Sequence, residues 1–170
     1  MHTNSGLVDL DDPKINIHDA VRALGMLCRF NGNCPWFYSV ALHSVNVARL
    51  VRDQGGDNEL VKHALLHDIG EAYVGDLTVP VQDYLSDEAI AEFKNLERRM
   101  VMAVYEKLKM GTPTPCEADL VHQADYAVGQ AECEYFFDVP RAIDTRFIFS
   151  TFSPDDASTL WWSEWRKASE

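Results

Sequence analysis

The stretch from Ser86 to Gly111 constrains this chain most. Apolar residues recur there at Ile90, Phe93, Leu96, Met100, Val104 and Leu108. Spacings of three and four put all six on one face of an α-helix. Ser86 has the hydroxyl of an N-cap, and Gly111 is placed to end the helix as a C′ residue. A helix with one apolar face needs other elements to cover it, and the rest of the sequence supplies more helices. Asn16 precedes the stripe Ile17, Ala20, Val21, Leu24 and Leu27, with Asp19 in the first turn. Ser39 can cap a second helix with Val40, His43, Val47 and Leu50 on one face, ended by Gly55 and Gly56. A third starts at Asp57 or Asn58 and runs through KHALLHDIGEA, placing Leu60, Ala64 and His67 together. Thr114-Pro115-Cys116-Glu117 joins a T-x-x-E capping box to a proline at N1. The helix it opens carries Val121, Ala124, Asp125 and Val128. Ser153-Pro154 opens a last helix, spanning 153–170 with its flanks, which bears Trp161, Trp162 and Trp165.

Between these segments, residues 1–15 read as a loose arm and 29–39 as a loop around Gly32 and Pro35. Residues 75–80 read as a turn and 138–152 as irregular. No segment alternates as a strand does, and no internal repeat occurs. The expectation is an all-α, compact domain of about six helices covering 1–170.

With 27 acidic against 15 basic residues, the net charge is −12. Such a surface repels phosphate backbones and anionic lipid, so neither a nucleic acid nor a membrane is an expected partner. A small anionic substrate stays possible if a cation or a few arginines hold it. At 46% hydrophobic and 25% charged residues the chain is not of the disordered class. Cys28, Cys34, Cys116 and Cys133 form no CxxC pair, which suits reduced thiols in a cytoplasmic protein. The first fourteen residues lack the basic and apolar regions of a secretory signal. The longest stretch free of Lys, Arg, Asp and Glu, Phe30 to Ala48, holds Asn, Gly, Pro and His and is no membrane span.

Three of the helices share an oddity: each places a ligand-type group on its apolar face. The second gives His43, the third His67 with Asp68 beside it, and the helix from Thr114 gives Asp125. Buried ionisable groups are costly unless paired or bound to a metal. Any one of the four alone reads as well as a satisfied core residue. Together, two imidazoles and two carboxylates make a mixed N/O set suited to Zn²⁺, Mn²⁺, Co²⁺ or Fe²⁺.

These residues follow the H…HD…D order of the HD-domain phosphohydrolases. ALLHDIGEAYVGDLTVPVQ, residues 64–82, resembles the core motif of the bacterial HD 5′-deoxynucleotidases and their phage relatives, roughly LLHDxxExxxGDxPxPxK. HQADYA, residues 122–127, is similar to their KxAD segment, and LCRFNG followed by FYSVALHS is similar to the stretch leading to their first histidine. The resemblance covers roughly residues 16–135 and implies a helical domain with one divalent metal, Zn²⁺, Co²⁺ or Mn²⁺, and Mg²⁺ where substrate phosphates bring it.

On this resemblance His43, His67, Asp68 and Asp125 are the metal ligands. Glu71 polarises or positions the attacking water, and Asp76 is a second acid near the phosphate. Arg29 contacts phosphate or sugar, and Phe30 stacks near the nucleoside. Glu71 lies one helical turn after His67, which puts both on the same side of the helix. Read from spacing alone, Glu71 is equally a surface acid and Asp76 a turn-former. His63 reads as a surface residue, and Phe30, Trp36, Phe37 and Tyr38 as either core packing or the lining of a base pocket. Two departures matter: Gln82 and His122 stand where relatives often have lysine, which removes positive charge that could meet phosphate.

The activity this resemblance implies is phosphohydrolysis of a deoxynucleotide, most specifically a phage-type dATP triphosphohydrolase releasing deoxyadenosine and triphosphate. A 5′-deoxynucleotidase acting on monophosphates is the alternative, and a non-catalytic metal- or nucleotide-binding protein a further one. Relatives form dimers or hexamers, so a homo-oligomer is expected.

Overall fold

In the computed structural model, residues 1–137 and 146–170 are described. Among them helix dominates, as expected. The helices are α1 (Ile17–Met26), α2 (Val40–Asp53), α3 (Asn58–Leu66), α4 (Glu71–Val74), α5 (Val79–Gln82), α6 (Asp87–Leu108), α7 (Pro115–Phe137) and α8 (Pro154–Lys167), with a 3₁₀ turn at Arg29–Gly32. None is long and apolar enough to cross a membrane.

The helix starts are set by local chemistry. Side chains of Asn16, Ser39, Asp57, Ser86 and Ser153 each accept a bond from a backbone N–H in the first turn of the helix they precede. The capping box forms in both directions: Glu117 Oε2 takes the Thr114 N–H at 2.7 Å and Thr114 Oγ1 takes the Glu117 N–H at 3.3 Å. At the end of α6, Lys109 adopts the left-handed conformation (φ 54°) expected of Gly111, so the helix closes two residues early.

α2 lies at the centre. It packs on α1, α3, α7 and α8, and Val40 through Ala48 are all buried. A helix covered on every side must carry its polar residues inside the core, which is where His43 is found. Around it, α1 packs on α8 so closely that a Cβ at Gly25 would lie 2.6 Å from the Pro154 carbonyl oxygen. α8 reaches back to α3, where the buried Trp161 indole donates to the Leu65 carbonyl at 3.1 Å. Trp165 stacks on Trp161 at 5.4 Å. These tryptophans are packing residues.

Three expectations are corrected. Residues 1–15 are no loose arm: His2–Thr3 pairs antiparallel with Gly6–Leu7, the N-terminal ammonium donates to the Val8 carbonyl at 2.7 Å, and Val8 and Ile15 are buried. Gly6, at φ 133°, makes the tight reversal possible. The third helix does not run unbroken to Ala72. It ends at Leu66, and i→i+3 bonds follow, from Ile69 N–H to the Leu66 carbonyl and from Glu71 N–H to the Asp68 carbonyl, both 3.0 Å. Third, His63 is buried, not on the surface, and its Nδ1 lies 2.8 Å from the Tyr105 hydroxyl. Of the stretch 138–152, residues 138–145 lie outside the described residues.

Candidate metal centre

Three helices bring the expected ligands to one point. His43 comes from mid-α2, His67 and Asp68 from the tight turn after α3, and Asp125 from the buried face of α7. The His43, His67 and Asp68 ligand atoms lie within 4.8 Å of one another. Asp125 joins them: its Oδ1 is 2.9 Å from His43 Nε2 and 3.7 Å from His67 Nε2. Asp68 Oδ2 is 3.1 Å from His67 Nε2 and 3.8 Å from His43 Nε2. Asp125 is the most open of the four, its side chain 34% exposed.

The ring orientations follow from what each Nδ1 meets. The His67 Nδ1 faces the Ala64 carbonyl at 2.7 Å, and the His43 Nδ1 faces the Glu132 carboxylate at 2.6 Å. Both partners only accept, so both Nδ1 atoms carry the proton and both Nε2 atoms point into the cluster. His67 Nε2 is buried without an aligned hydrogen-bond partner. That orphaned nitrogen, opposed by two carboxylates, is what a divalent cation would satisfy, and the donor set fits one.

The charges confirm how tightly the groups are coupled. Burial and the Arg29 charge lower the His43 pKa, but Glu132 and Asp125 outweigh them and leave it raised. Burial likewise works against His67 ionisation, and Asp68 and Asp125 push its pKa well above the ordinary value. Asp68 is held down at about 2 against burial, by His67, His43 and Arg29. Asp125 is lowered far below the carboxylate range against burial, by bonds to both imidazoles.

Glu71 and Asp76 flank this cluster. Glu71 begins α4, its Oε2 buried without a hydrogen-bond partner, and burial together with Asp68 and Asp76 pushes its pKa up to about 9. Asp76 follows Gly75, whose φ of 81° suits only glycine well, and burial raises its pKa against the pull of Arg29. Gly70 makes the approach of this segment possible. A Cβ there would lie 2.9 Å from Glu97 Cγ and 3.0 Å from both the Glu97 carbonyl oxygen and Val101 Cγ2 of α6.

Arg29 and Phe30 sit in a strained turn. Phe30 (φ 56°) and Asn31 (φ 51°) are both left-handed, which costs about 1–2 kcal/mol for a residue with a side chain. Backbone bonds from Arg29 N–H to Tyr38 and from Val40 N–H to Leu27 close the loop around it. The turn aims Arg29 inward, where its Nε donates to Glu132 at 2.9 Å and its Nη1 lies 3.9 Å from Asp68. Phe30 turns its ring onto Phe136 and Phe137, at 6.0 and 5.1 Å. Trp36 and Tyr38 pack on Phe136 as well; Tyr38 is buried, whereas Trp36 stays 37% exposed.

Residues 40–128 match the model of the HD domain, from the first residue of α2 to the middle of α7. The chain belongs to the HD-domain family. Two relatives carry the likeness outward: the uncharacterized protein YfdR of Escherichia coli K12, 35% identical over 118 residues, and an uncharacterized protein of Rhodobacter capsulatus, 32% identical over 137 residues. The first alignment covers 67% of this chain and 59% of YfdR, the second 75% and 67% of the Rhodobacter protein. The chain thus spans well under two thirds of YfdR. HD domains bind divalent metals, and the His43–His67–Asp68 group has the ligand types and spacing that could hold such an ion.

One residue of the HD domain's surroundings escaped the sequence reading. Glu132 is fully buried beyond the matched segment and bonds His43, Tyr38 and Arg29. Its only signal was a position seven residues, two turns, after Asp125 on the same face of α7.

Proposed function

We propose that this HD-domain protein is a metal-dependent phosphohydrolase acting on deoxynucleotides, with dATP cleaved to deoxyadenosine and triphosphate as the leading reaction. His43, His67, Asp68 and Asp125 would hold the metal. The observation carrying the reading is the meeting of those four groups around the partnerless His67 Nε2, with a partnerless acid oxygen, Glu71 Oε2, beside them.

A divalent cation bound there supplies Lewis-acid polarisation of the phosphate and eases deprotonation of water. The chain's own residues do the rest. Arg29 carries a fixed positive charge next to Asp68 and would neutralise phosphate oxygens in the transition state. Glu71 ionises more readily beside a cation than without one. As a carboxylate it accepts a hydrogen bond from the attacking water, and then its proton. Asp76 keeps a second carboxyl close enough to Glu71 to raise its pKa further. If attack falls on the α-phosphorus of a triphosphate, its bond to the 5′-oxygen breaks: deoxyadenosine leaves and takes a proton on that oxygen, and the triphosphate carries the incoming oxygen.

Cleavage of deoxynucleoside monophosphates is the second reading. It is favoured by the state of Gln82 and His122: Gln82 spends its amide on the Leu77 carbonyl at 2.7 Å and His122 is exposed, so neither brings fixed positive charge to a polyphosphate. A panel of deoxynucleotides assayed with Mn²⁺, Co²⁺ and Zn²⁺, with Asp68→Ala as control, separates the readings. Triphosphate release from dATP supports the first, and orthophosphate release from dAMP the second. No phosphate release from any nucleotide, with Asp68→Ala indistinguishable, overturns both and leaves a binding protein.

A further inference from the structure

We propose that Glu132 is the positioning residue of this centre: one buried carboxylate fixes the His43 imidazole for a metal and the Arg29 guanidinium for a phosphate. The inference rests on the phosphohydrolase reading for the identity of those two ligands. Its evidence is separate from that reading.

Glu132 is fully buried, so its charge must be met by donors inside the protein. Three meet it. Oε1 accepts from the Tyr38 hydroxyl at 2.7 Å and from His43 Nδ1 at 2.6 Å, and Oε2 accepts from Arg29 Nε at 2.9 Å. The bond to Nδ1 sets the tautomer of His43 and turns Nε2 toward Asp125 and Asp68. Asp125 and Glu132 stand two turns apart on α7, so one rigid helix grips both nitrogens of the ring, at 2.9 and 2.6 Å. The bond to Arg29 does the second task. Nε is the guanidinium atom nearest the backbone, and fixing it leaves the outer nitrogens directed past Asp68, 3.9 Å away. Tyr38 is itself held by Asn46, whose amide also bonds the Ile148 N–H and carbonyl at 2.9 and 3.0 Å. The carboxylate therefore cannot swing to favour one partner over the other.

A purely structural ion pair would move the melting temperature alone. A positioning carboxylate also moves the metal's spectrum and affinity. The test titrates Co²⁺ into metal-depleted wild type and Glu132→Gln, read by visible absorption and calorimetry. Inorganic phosphate is then titrated into the Co²⁺-loaded proteins. Glu132→Gln is expected to weaken Co²⁺ ten- to hundredfold, the range for loss of a group that orients a metal ligand, with altered absorption bands. Phosphate binding should weaken as well. Glu164→Gln, which removes a buried carboxylate bonded to Arg49, Arg52 and Lys167 and to none of the four metal-site residues, should keep Co²⁺ affinity within about threefold of wild type. A folded Glu132→Gln with wild-type Co²⁺ affinity, bands and phosphate binding overturns the proposal. If Glu132→Gln does not fold, Glu132→Asp decides: it keeps the charge but withdraws it by one methylene, and wild-type Co²⁺ behaviour there overturns the proposal equally. Wild type that takes up no Co²⁺ overturns the metal reading itself, a result distinct from wild type and Glu132→Gln binding alike.

Discussion

His67 Nδ1 donates to the carbonyl of Ala64 at 2.7 Å, three residues back in the last turn of α3. The last turn of α3 thereby aims the ring, and Nε2 is left facing Asp68 and Asp125. Replacing His67 or Asp125 with alanine is expected to abolish uptake of one equivalent of Co²⁺ or Mn²⁺, measured by calorimetry and elemental analysis. For wild type, saturating metal at one hundred times Kd should raise the melting temperature by roughly 5–10 °C, and a chelator should reverse it. An alanine variant that still binds one equivalent with unchanged affinity would remove that residue from the ligand set.

Glu71 gives a pH prediction with a definite sign. Burial, Asp68 and Asp76 raise its pKa from 4.5 to about 9 in the metal-free protein. A carboxyl raised on folding stabilises the fold fully below its unfolded pKa and withdraws that stability as pH climbs toward the folded value. The metal-free Glu71→Gln variant should therefore melt above wild type at pH 8, by roughly 2–4 °C or more, and together with it near pH 4. Metal-loaded Glu71→Gln should keep its metal yet lose about 10²–10⁴ in kcat. Equal melting temperatures at both pH values would refute the first half.

Gly70 joins the fold to the chemistry. Gly70→Ala forces a methyl against the Glu97 carbonyl and Val101 of α6 and is expected to cost about 1–3 kcal/mol. The same push shifts α4 and the Glu71 it carries, so kcat should fall roughly ten- to hundredfold. Metal affinity should change little, since His67 and Asp68 precede the displaced residue. Thermal melts and metal titrations on one preparation check both statements.

Glu164 anchors the far end of the molecule. It is 1% exposed and accepts from Arg49, Arg52 and Lys167. Against burial, these donors hold its pKa at about 2. A depressed carboxylate contributes stability above its unfolded pKa and loses it as pH falls toward the folded one. Glu164→Gln should lower the melting temperature at pH 7 by roughly 5–10 °C and by much less near pH 2, where wild type has lost the same contribution. Differential scanning calorimetry across that range tests it.

Much of this architecture could be read from the chain because it is written in local chemistry. Caps at Asn16, Ser39, Asp57, Ser86, Thr114 and Ser153 mark helix starts that depend on residues one to three positions away. His43, His67, Asp68 and Asp125 stood out because a charge on an apolar face demands an explanation wherever it occurs. What escaped the sequence depends on distant contacts. The break after Leu66 lies beside Gly70, where α6 packs too close for a side chain. Burial of His63 follows from Tyr105, forty-two residues away. Glu132 looked like one acid among 27, because nothing near it in sequence announces the three donors that surround it.

The bond from Trp161 to the Leu65 carbonyl has a consequence for where this molecule can be cut. α3 stops one residue after Leu65, so that oxygen has lost the donor a longer helix would give it, and the indole replaces it two residues before His67. A fragment trimmed to the family-matched segment would strip away that donor and leave the Leu65 carbonyl, just before the His67-Asp68 turn, without it. Shortened versions should therefore keep α8, although it lies outside every motif that marks the chain.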